Sequence, residues 1–204
     1  DEEYASAVER GDMEAAQKMV DERAKAAGYH ISAYHGTTKY IQVPTPDERY
    51  YGYNPYEKIP RFDGSTEIKT FVPNSHFGTK FAATRRADRV ANGRDVEFNL
   101  EPVVYPVYIK ADKLKEVDDP YDVMKLDTHS ESYQNRYWKD ECEKAKAEGY
   151  DGLVYYNTYE GGTSIVIFEP SAIKSAEAVT RDNDGNLIPL SQRFNAANAD
   201  VRYS

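Results

Sequence analysis

Four strand-like runs most limit how this chain can fold, because strands must pair with one another to build a core. The strongest run is VEFNLEPVVYPVYIKA, in which Val103, Tyr105, Val107 and Ile109 alternate with other residues. Pro106 inside it predicts an edge strand or a bulge, because proline cannot donate to a ladder. The other runs lie near residues 31–35, 151–156 and 164–168. The sequence therefore predicts an α+β fold with these strands in the core and helices packed outside.

Helix boundaries divide the chain into three parts. Asp12 is an N-cap candidate for the first long helix, and Gly28 is a candidate to end it. Further helices are predicted from Thr79 to Asn92 and over residues 131–148. We predict a helical segment over residues 1–29, a main domain over 30–190 and a tail over 191–204, with the last ten residues irregular and disordered.

Composition excludes several classes of protein. The formal net charge of −9 argues against a general nucleic-acid binder, although an acidic protein can still carry a local basic groove. The one cysteine, Cys142, excludes a disulfide framework and a cysteine zinc cluster, and it fits a helix residue in a reducing compartment. The sequence contains no run of 18 apolar residues, so it predicts no membrane-spanning helix. The histidines are too scattered to predict a metal site: His30, His35, His76 and His129.

The common catalytic motifs are missing from the sequence. It has no Gly-x-Gly-x-x-Gly, no phosphate loop, no His-Glu-x-x-His and no Gly-x-Ser-x-Gly elbow. Three short segments remain, YHGT, HFGTKFAAT and SIVIFEPSAIKSA, and each occurs often by chance. His35 in YHGT, at the end of the first strand, is either a working residue or a polar residue in a turn. The order of the three segments carries the information.

That order resembles the ADP-ribosyltransferase superfamily, in the branch that includes diphtheria toxin and the poly(ADP-ribose) polymerases. The segments YHGTT, FGTKFAAT and SIVIFEPSAIKSA match its three motifs in order, and GYDGLVYYN is similar to the strand before the third. The segment DGNLIPLSQRFN resembles tails that follow such domains in phage and mobile-element polyvalent proteins. The resemblance covers about residues 30–204.

The resemblance implies a fold and an activity. The fold would be a split β-sheet core with peripheral helices, which binds NAD as a substrate in the cleft between its halves. The activity would move ADP-ribose from NAD to a macromolecular acceptor, a protein or a nucleic acid, and release nicotinamide. A bacterial cytoplasm, reached by phage delivery, would be the location. No metal and no membrane are implied.

The resemblance also assigns roles to residues. His35 would hydrogen-bond a ribose hydroxyl, and the Gly36 backbone would bind the nicotinamide carboxamide, since glycine permits a close approach. Thr37 would add a hydroxyl contact. Phe81 would stack on the nicotinamide ring, with Phe77 and Tyr155 or Tyr156 as alternatives. The cofactor-binding set implied is Tyr34, His35, Gly36, Thr37, Phe77, Gly78, Thr79, Phe81 and Tyr155.

The sequence departs from the family where the third strand begins. The polymerases have a catalytic glutamate there, whereas Ser164 stands at this position, and Glu160 lies four residues earlier. A serine can bond ribose but carries no charge to favour a cation. Three alternatives stay open: Glu160 substitutes, Ser164 works in a weaker enzyme, or no catalysis occurs.

Two other kinds of function also stay open. The chain would then be a degenerate module that binds NAD, ADP-ribose or a protein partner without turnover, or a structural domain of a larger polyprotein. The basic cluster TRRADR contacts either the NAD pyrophosphate or a nucleic-acid acceptor, or it is a solvated helix face.

Overall fold

A computed structural model describes residues 1–40, 69–92, 100–120 and 131–203. Over these ranges the chain forms four α-helices and seven strands. The helices are α1 Glu2–Glu9, α2 Met13–Ala26, α3 Lys80–Ala91 and α4 Glu131–Ala147. The strands are β1 Ile31–Tyr40, β2 Ser75–Gly78, β3 Leu100–Ile109, β4 Leu114–Glu116, β5 Gly152–Tyr156, β6 Thr163–Ile167 and β7 Ile173–Ser175. The predicted α+β class is confirmed.

The seven strands form one mixed sheet in the order β4-β5-β6-β2-β1-β3-β7. Only β4 and β5 run parallel, and all other neighbours are antiparallel. Strands β1 and β3 pair over ten residues, whereas the register between β1 and β2 consists of the single pair Tyr34–Gly78. The sheet therefore has two well-paired groups of strands, β4-β5-β6-β2 and β1-β3-β7. We call the narrow contact between β1 and β2 the seam.

The two faces of the sheet are covered differently. On one face α4 packs against β5 through Cys142 and Leu153, and α3 packs across β1 and β3. The opposite face holds a core cluster that includes Ala33, Phe77 and Ile165. Because successive strand residues point to opposite faces, each strand contributes to both layers.

The tail of the chain fastens the two N-terminal helices to the sheet. Phe194 is buried in one cluster with residues of α1 and α2, and its ring lies 5.6 Å from that of Tyr29. Val201, further along the tail, is buried in the core cluster that also holds Ala33 and Phe77. The last ten residues are irregular over their described part, as predicted, with Val201 and Arg202 buried and residues 195–198 exposed. The disorder expected there stays a prediction.

The strong patterns predicted their elements well. Asp12 accepts a hydrogen bond from the Ala15 amide at 3.1 Å and caps α2, and Thr79 caps α3 in the same way. The short strands β2, β4 and β7 were not predicted, since three or four residues carry little periodicity. Among the described residues, Pro106 and the part of β3 before it pair only with β1, as predicted for an edge strand, and β7 covers only Val107 to Ile109.

Candidate functional site

Four of the residues singled out in the sequence form one row across the sheet. Tyr34 is paired with Gly78, Gly78 with Ser164, and Ser164 with Tyr155. These residues lie on the neighbouring strands β1, β2, β6 and β5, and directly paired residues share a face of the sheet. The three motif segments, which are far apart in the sequence, are therefore brought together side by side.

His35 lies within β1 and not at its end, because this strand continues to Tyr40. The expectation that YHGT ends a strand is therefore wrong, and so is the alternative of a turn residue. His35 Nδ1 lies 2.8 Å from the backbone oxygen of His76 in β2. The carbonyl can only accept, so Nδ1 carries a proton and donates it to this bond. Just beyond the Tyr34–Gly78 pair, the ring thus links the two strands at the seam.

Aromatic side chains fix the orientation of the His35 ring. The Phe71 and Phe77 rings contact it with centroid distances of 5.0 and 5.5 Å, and Phe71 and Phe77 also contact each other. Phe77 is paired with Ile165, so the His35 ring lies on the face that holds the core cluster. Ser164, one residue earlier on β6, points to the opposite face. The side chains of His35 and Ser164 do not meet.

Gly36 is required by packing against α3. A Cβ atom built on Gly36 would lie 1.8 Å from the backbone oxygen of Ala83, which no relaxation of a side chain could relieve. A ligand was expected to approach the Gly36 backbone closely, and in the structure the backbone of α3 makes this approach. Thr37, the next residue, is buried.

The four candidate aromatic rings differ greatly in accessibility. Phe77 and Tyr155 are only 2% and 6% exposed, so neither offers a ring face to a ligand. Phe81 on α3 is 63% exposed, and Tyr156 on β5 is 66% exposed. Tyr156 lies one residue after Tyr155 and therefore shares the face of His35, whereas Phe81 belongs to the helix on the other face.

Ser164 and Glu160 belong to one polar network. Asn157 Nδ2 lies 3.4 Å from Ser164 Oγ and donates at 2.9 Å to Glu160 Oε2. Arg89 on α3 forms an ion pair of 2.7 Å with the other carboxylate oxygen of Glu160. Ser164 is 3% exposed, so this serine is covered while the Glu160 carboxylate stands between the network and the surface.

The turn that carries Glu160 is held by hydrogen bonds from its backbone amides to two side chains. The Asn157 side-chain oxygen accepts from the Glu160 amide at 2.8 Å, and buried Asp119 accepts from the Thr158 amide at 2.8 Å. Gly161 and Gly162 follow with φ of 90° and 92°, a conformation that other residues rarely adopt. The sequence NTYEGG therefore fixes where the Glu160 carboxylate emerges.

His76 connects this network to the seam. Its carbonyl accepts from His35, while its own ring contacts Trp138 and places Nδ1 3.0 Å from the Tyr155 hydroxyl. Burial lowers the pKa of His76 to about 4, helped by the charges of Arg86 and His35. Burial also raises the pKa of Tyr155, and the charges of Glu160 and Asp119 add to this. Both side chains are therefore neutral near pH 7.

Three residues of the site had no specific role predicted from the sequence. His76 was only one of four scattered histidines, because the strand around it is four residues long and carries little periodicity. Asn157 precedes Glu160 by three residues, a spacing at which a side-chain oxygen often accepts a turn amide, so this signal was available. Nothing local indicated that Arg89 would pair with Glu160, since 70 residues separate them and only the tertiary fold joins them.

Neither a cluster of metal-binding side chains nor a membrane-spanning helix is found in the described part of the chain. There, no three or more histidine, cysteine, aspartate or glutamate side chains are grouped to hold a metal ion, and His129 lies outside the described residues. No helix within those same ranges is long and apolar enough to cross a membrane.

Comparisons with models of protein families, with curated proteins and with solved structures found no match to this chain.

Proposed function

We propose that this chain is an NAD-dependent ADP-ribosyltransferase whose site lies along the seam. The observation that carries the proposal is the row Tyr34, Gly78, Ser164 and Tyr155, which aligns all three motif segments on adjacent strands. The single pair between β1 and β2 supports a split sheet, as the ADP-ribosyltransferase-like fold requires. Chance occurrences of the three motifs would have no reason to become neighbours.

His35 is the proposed ribose-binding residue. Its Nδ1 donates to the His76 carbonyl, which fixes the ring, and we assign Nε2 to the contact with a ribose hydroxyl. The two phenylalanine contacts hold the ring in place, which limits the entropy lost when a ligand binds. Tyr156 is the proposed stacking ring, because it is exposed and shares the face of His35.

Glu160 is the proposed catalytic carboxylate. When the bond between ribose and nicotinamide breaks, its electron pair leaves with nicotinamide and positive charge develops on the ribose. A carboxylate near that charge stabilises the transition state, and it can also accept the proton of the attacking group. Ser164 is covered and acts through Asn157 to position Glu160, so we propose it as a positioning residue.

One observation favours a second function, which is NAD binding without turnover. The Glu160 carboxylate already accepts from Arg89 and Asn157, and the ion pair neutralises much of its charge. His35 and Ser164 also point to opposite faces of the sheet. A site arranged in this way would bind the dinucleotide but leave the developing cation without a countercharge.

Nicotinamide release from NAD by the purified chain tests the two functions, with and without bacterial lysate as a source of acceptor. Transfer predicts release that is lost in His35→Ala and Glu160→Gln, with a fall of roughly a hundredfold for the carboxylate. Ser164→Ala should retain part of the activity. NAD binding without release, lost in His35→Ala, would establish the second function. An absence of both would overturn the proposed site.

A further inference from the structure

The side of α3 that faces the Glu160 turn carries one aromatic and two cationic side chains. Phe81, Arg85 and Arg89 recur every four residues and so lie on one stripe of the helix, and Tyr159 of the turn lies beside them. The Arg85 guanidinium lies 5.6 Å from the centre of the Phe81 ring, and that of Arg89 lies 4.7 Å from the centre of the Tyr159 ring. We call these four residues the α3 stripe.

The stripe is accessible and already ordered. Phe81 is 63% and Tyr159 43% exposed, the highest values for large apolar side chains apart from Tyr156 within the described residues. Arg85 donates to the Glu160 backbone oxygen at 3.3 Å, and Arg89 pairs with the Glu160 carboxylate. These bonds hold both guanidinium groups beside the rings, so a ligand would find them in place.

The local charge is opposite to that of the whole chain. Residues 80–91 and 157–162 carry Lys80, Arg85, Arg86 and Arg89 against Asp88 and Glu160, although the net charge of the chain is −9. An acidic protein repels polyanions in general, so an anionic ligand would be drawn to this site and to few others. The cation excess is modest, and the rings must therefore contribute much of the affinity.

We propose that the α3 stripe binds single-stranded nucleic acid. Bases stack on exposed aromatic rings whatever their sequence, and guanidinium groups pair with the phosphates between them. Arg85 and Arg89 are spaced by about 6 Å along the helix axis, which lets each engage a different phosphate. A duplex keeps its bases stacked within the helix and offers no free base to Phe81, so duplexes should bind more weakly.

Fluorescence anisotropy with a labelled oligothymidylate of about 12 nucleotides tests the proposal in the absence of NAD. We expect binding at low salt, and an affinity roughly tenfold lower in Phe81→Ala. In Arg85→Ala, the slope of log affinity against log salt should fall by about 0.7, the value for one phosphate contact on a single strand. Arg23→Ala, which removes an exposed arginine of α2, should bind like the unmodified chain. An oligouridylate of the same length shows whether the sugar matters, and binding of either strand supports the proposal.

Four results would overturn the proposal. The first two are no binding of either strand at low salt, and equal affinity for a duplex of the same length. The other two are equal losses of oligonucleotide affinity in Arg23→Ala and Arg85→Ala, and binding of a polyglutamate peptide in place of the oligonucleotides. Loss of oligonucleotide binding in Tyr156→Ala and His35→Ala, with full binding in Phe81→Ala, would place the nucleotides in the proposed NAD site and also contradict the stripe. Because nicotinamide release is measured separately, failure of the transferase proposal leaves this result unaffected.

Discussion

Single residues at the seam serve both faces of the sheet. His76 accepts from His35 through its carbonyl on one side and contacts Tyr155 and Trp138 through its ring on the other. Gly36 lets the backbone of α3 approach β1 more closely than any side chain would allow. Such residues couple the shape of the site to the packing of the layers above and below it, so their replacement affects stability as well as binding.

The buried ring of His76 should make stability depend on pH. Its pKa is lowered from 6.5 to about 4 in the folded chain, so the unfolded chain binds more protons within that window. The stability that the neutral ring contributes is fully present above pH 6.5 and is lost as pH falls toward 4. Urea unfolding followed across this range should show the midpoint decreasing at acid pH.

His76→Gln provides the control for this pH dependence. Glutamine keeps a polar side chain of similar length but does not titrate, so the decrease between pH 6.5 and 4 should become shallower. An unchanged pH profile in His76→Gln would show that other groups cause the dependence.

At the scale of elements, the β5–β6 turn and α3 act as one unit. Asn157 holds the turn through its side-chain oxygen and amide, and the Glu160–Arg89 pair joins the turn to the helix. The two contacts differ in burial, since Asn157 is buried while the Arg89 side chain is 41% exposed. The two contacts should therefore contribute different amounts to the free energy of unfolding.

Asn157→Ala should lower the free energy of unfolding by about 2 kcal/mol, because it leaves buried polar groups without their partner. Glu160→Gln should cost less than about 1 kcal/mol, since an ion pair with an exposed partner is screened by solvent. Urea unfolding of both variants measures the difference. Equal losses would contradict this account, and a large loss in Glu160→Gln would mean that its effect on activity reflects unfolding.

Over the whole molecule, the tail joins elements that are distant in sequence. The Arg193 guanidinium is buried and donates to the Ser175 and Glu177 backbone oxygens at 3.1 and 2.8 Å, and it lies 3.4 Å from the Tyr4 hydroxyl of α1. Lys174, also buried, donates to the Asn198 backbone oxygen, and burial lowers its pKa to about 8. The sheet, the tail and the N-terminal helices thus share one set of polar contacts.

Arg193→Ala should lower the free energy of unfolding by about 3 kcal/mol, because several buried acceptors lose their donor at once. Arg181→Ala is the matched control. This exposed arginine donates to the Gly185 backbone oxygen within its own turn, and its loss should change stability by no more than about 0.5 kcal/mol. Similar urea midpoints for the two variants would show that the tail contributes little to the fold.

Much of the secondary structure could be predicted because its signals are local. The caps Asp12 and Thr79, and the alternation in β3, depend on neighbours within a few residues. The site was only partly predictable. The residues of the row were singled out as candidates for a site, but strand alternation and pairing decide which face each one occupies. His35 and Ser164 were expected to serve one ligand together, yet the register places them on opposite faces.

The sequence by itself determined the α+β class, the main helices and the order of three short motifs. Only the tertiary structure decided that these motifs lie on adjacent strands, that the Glu160 carboxylate pairs with Arg89, and that the tail is packed. The reason is physical. Propensity and capping act over a few residues, whereas strand register, burial and ion pairs join residues that the chain brings together only when the sheet is complete.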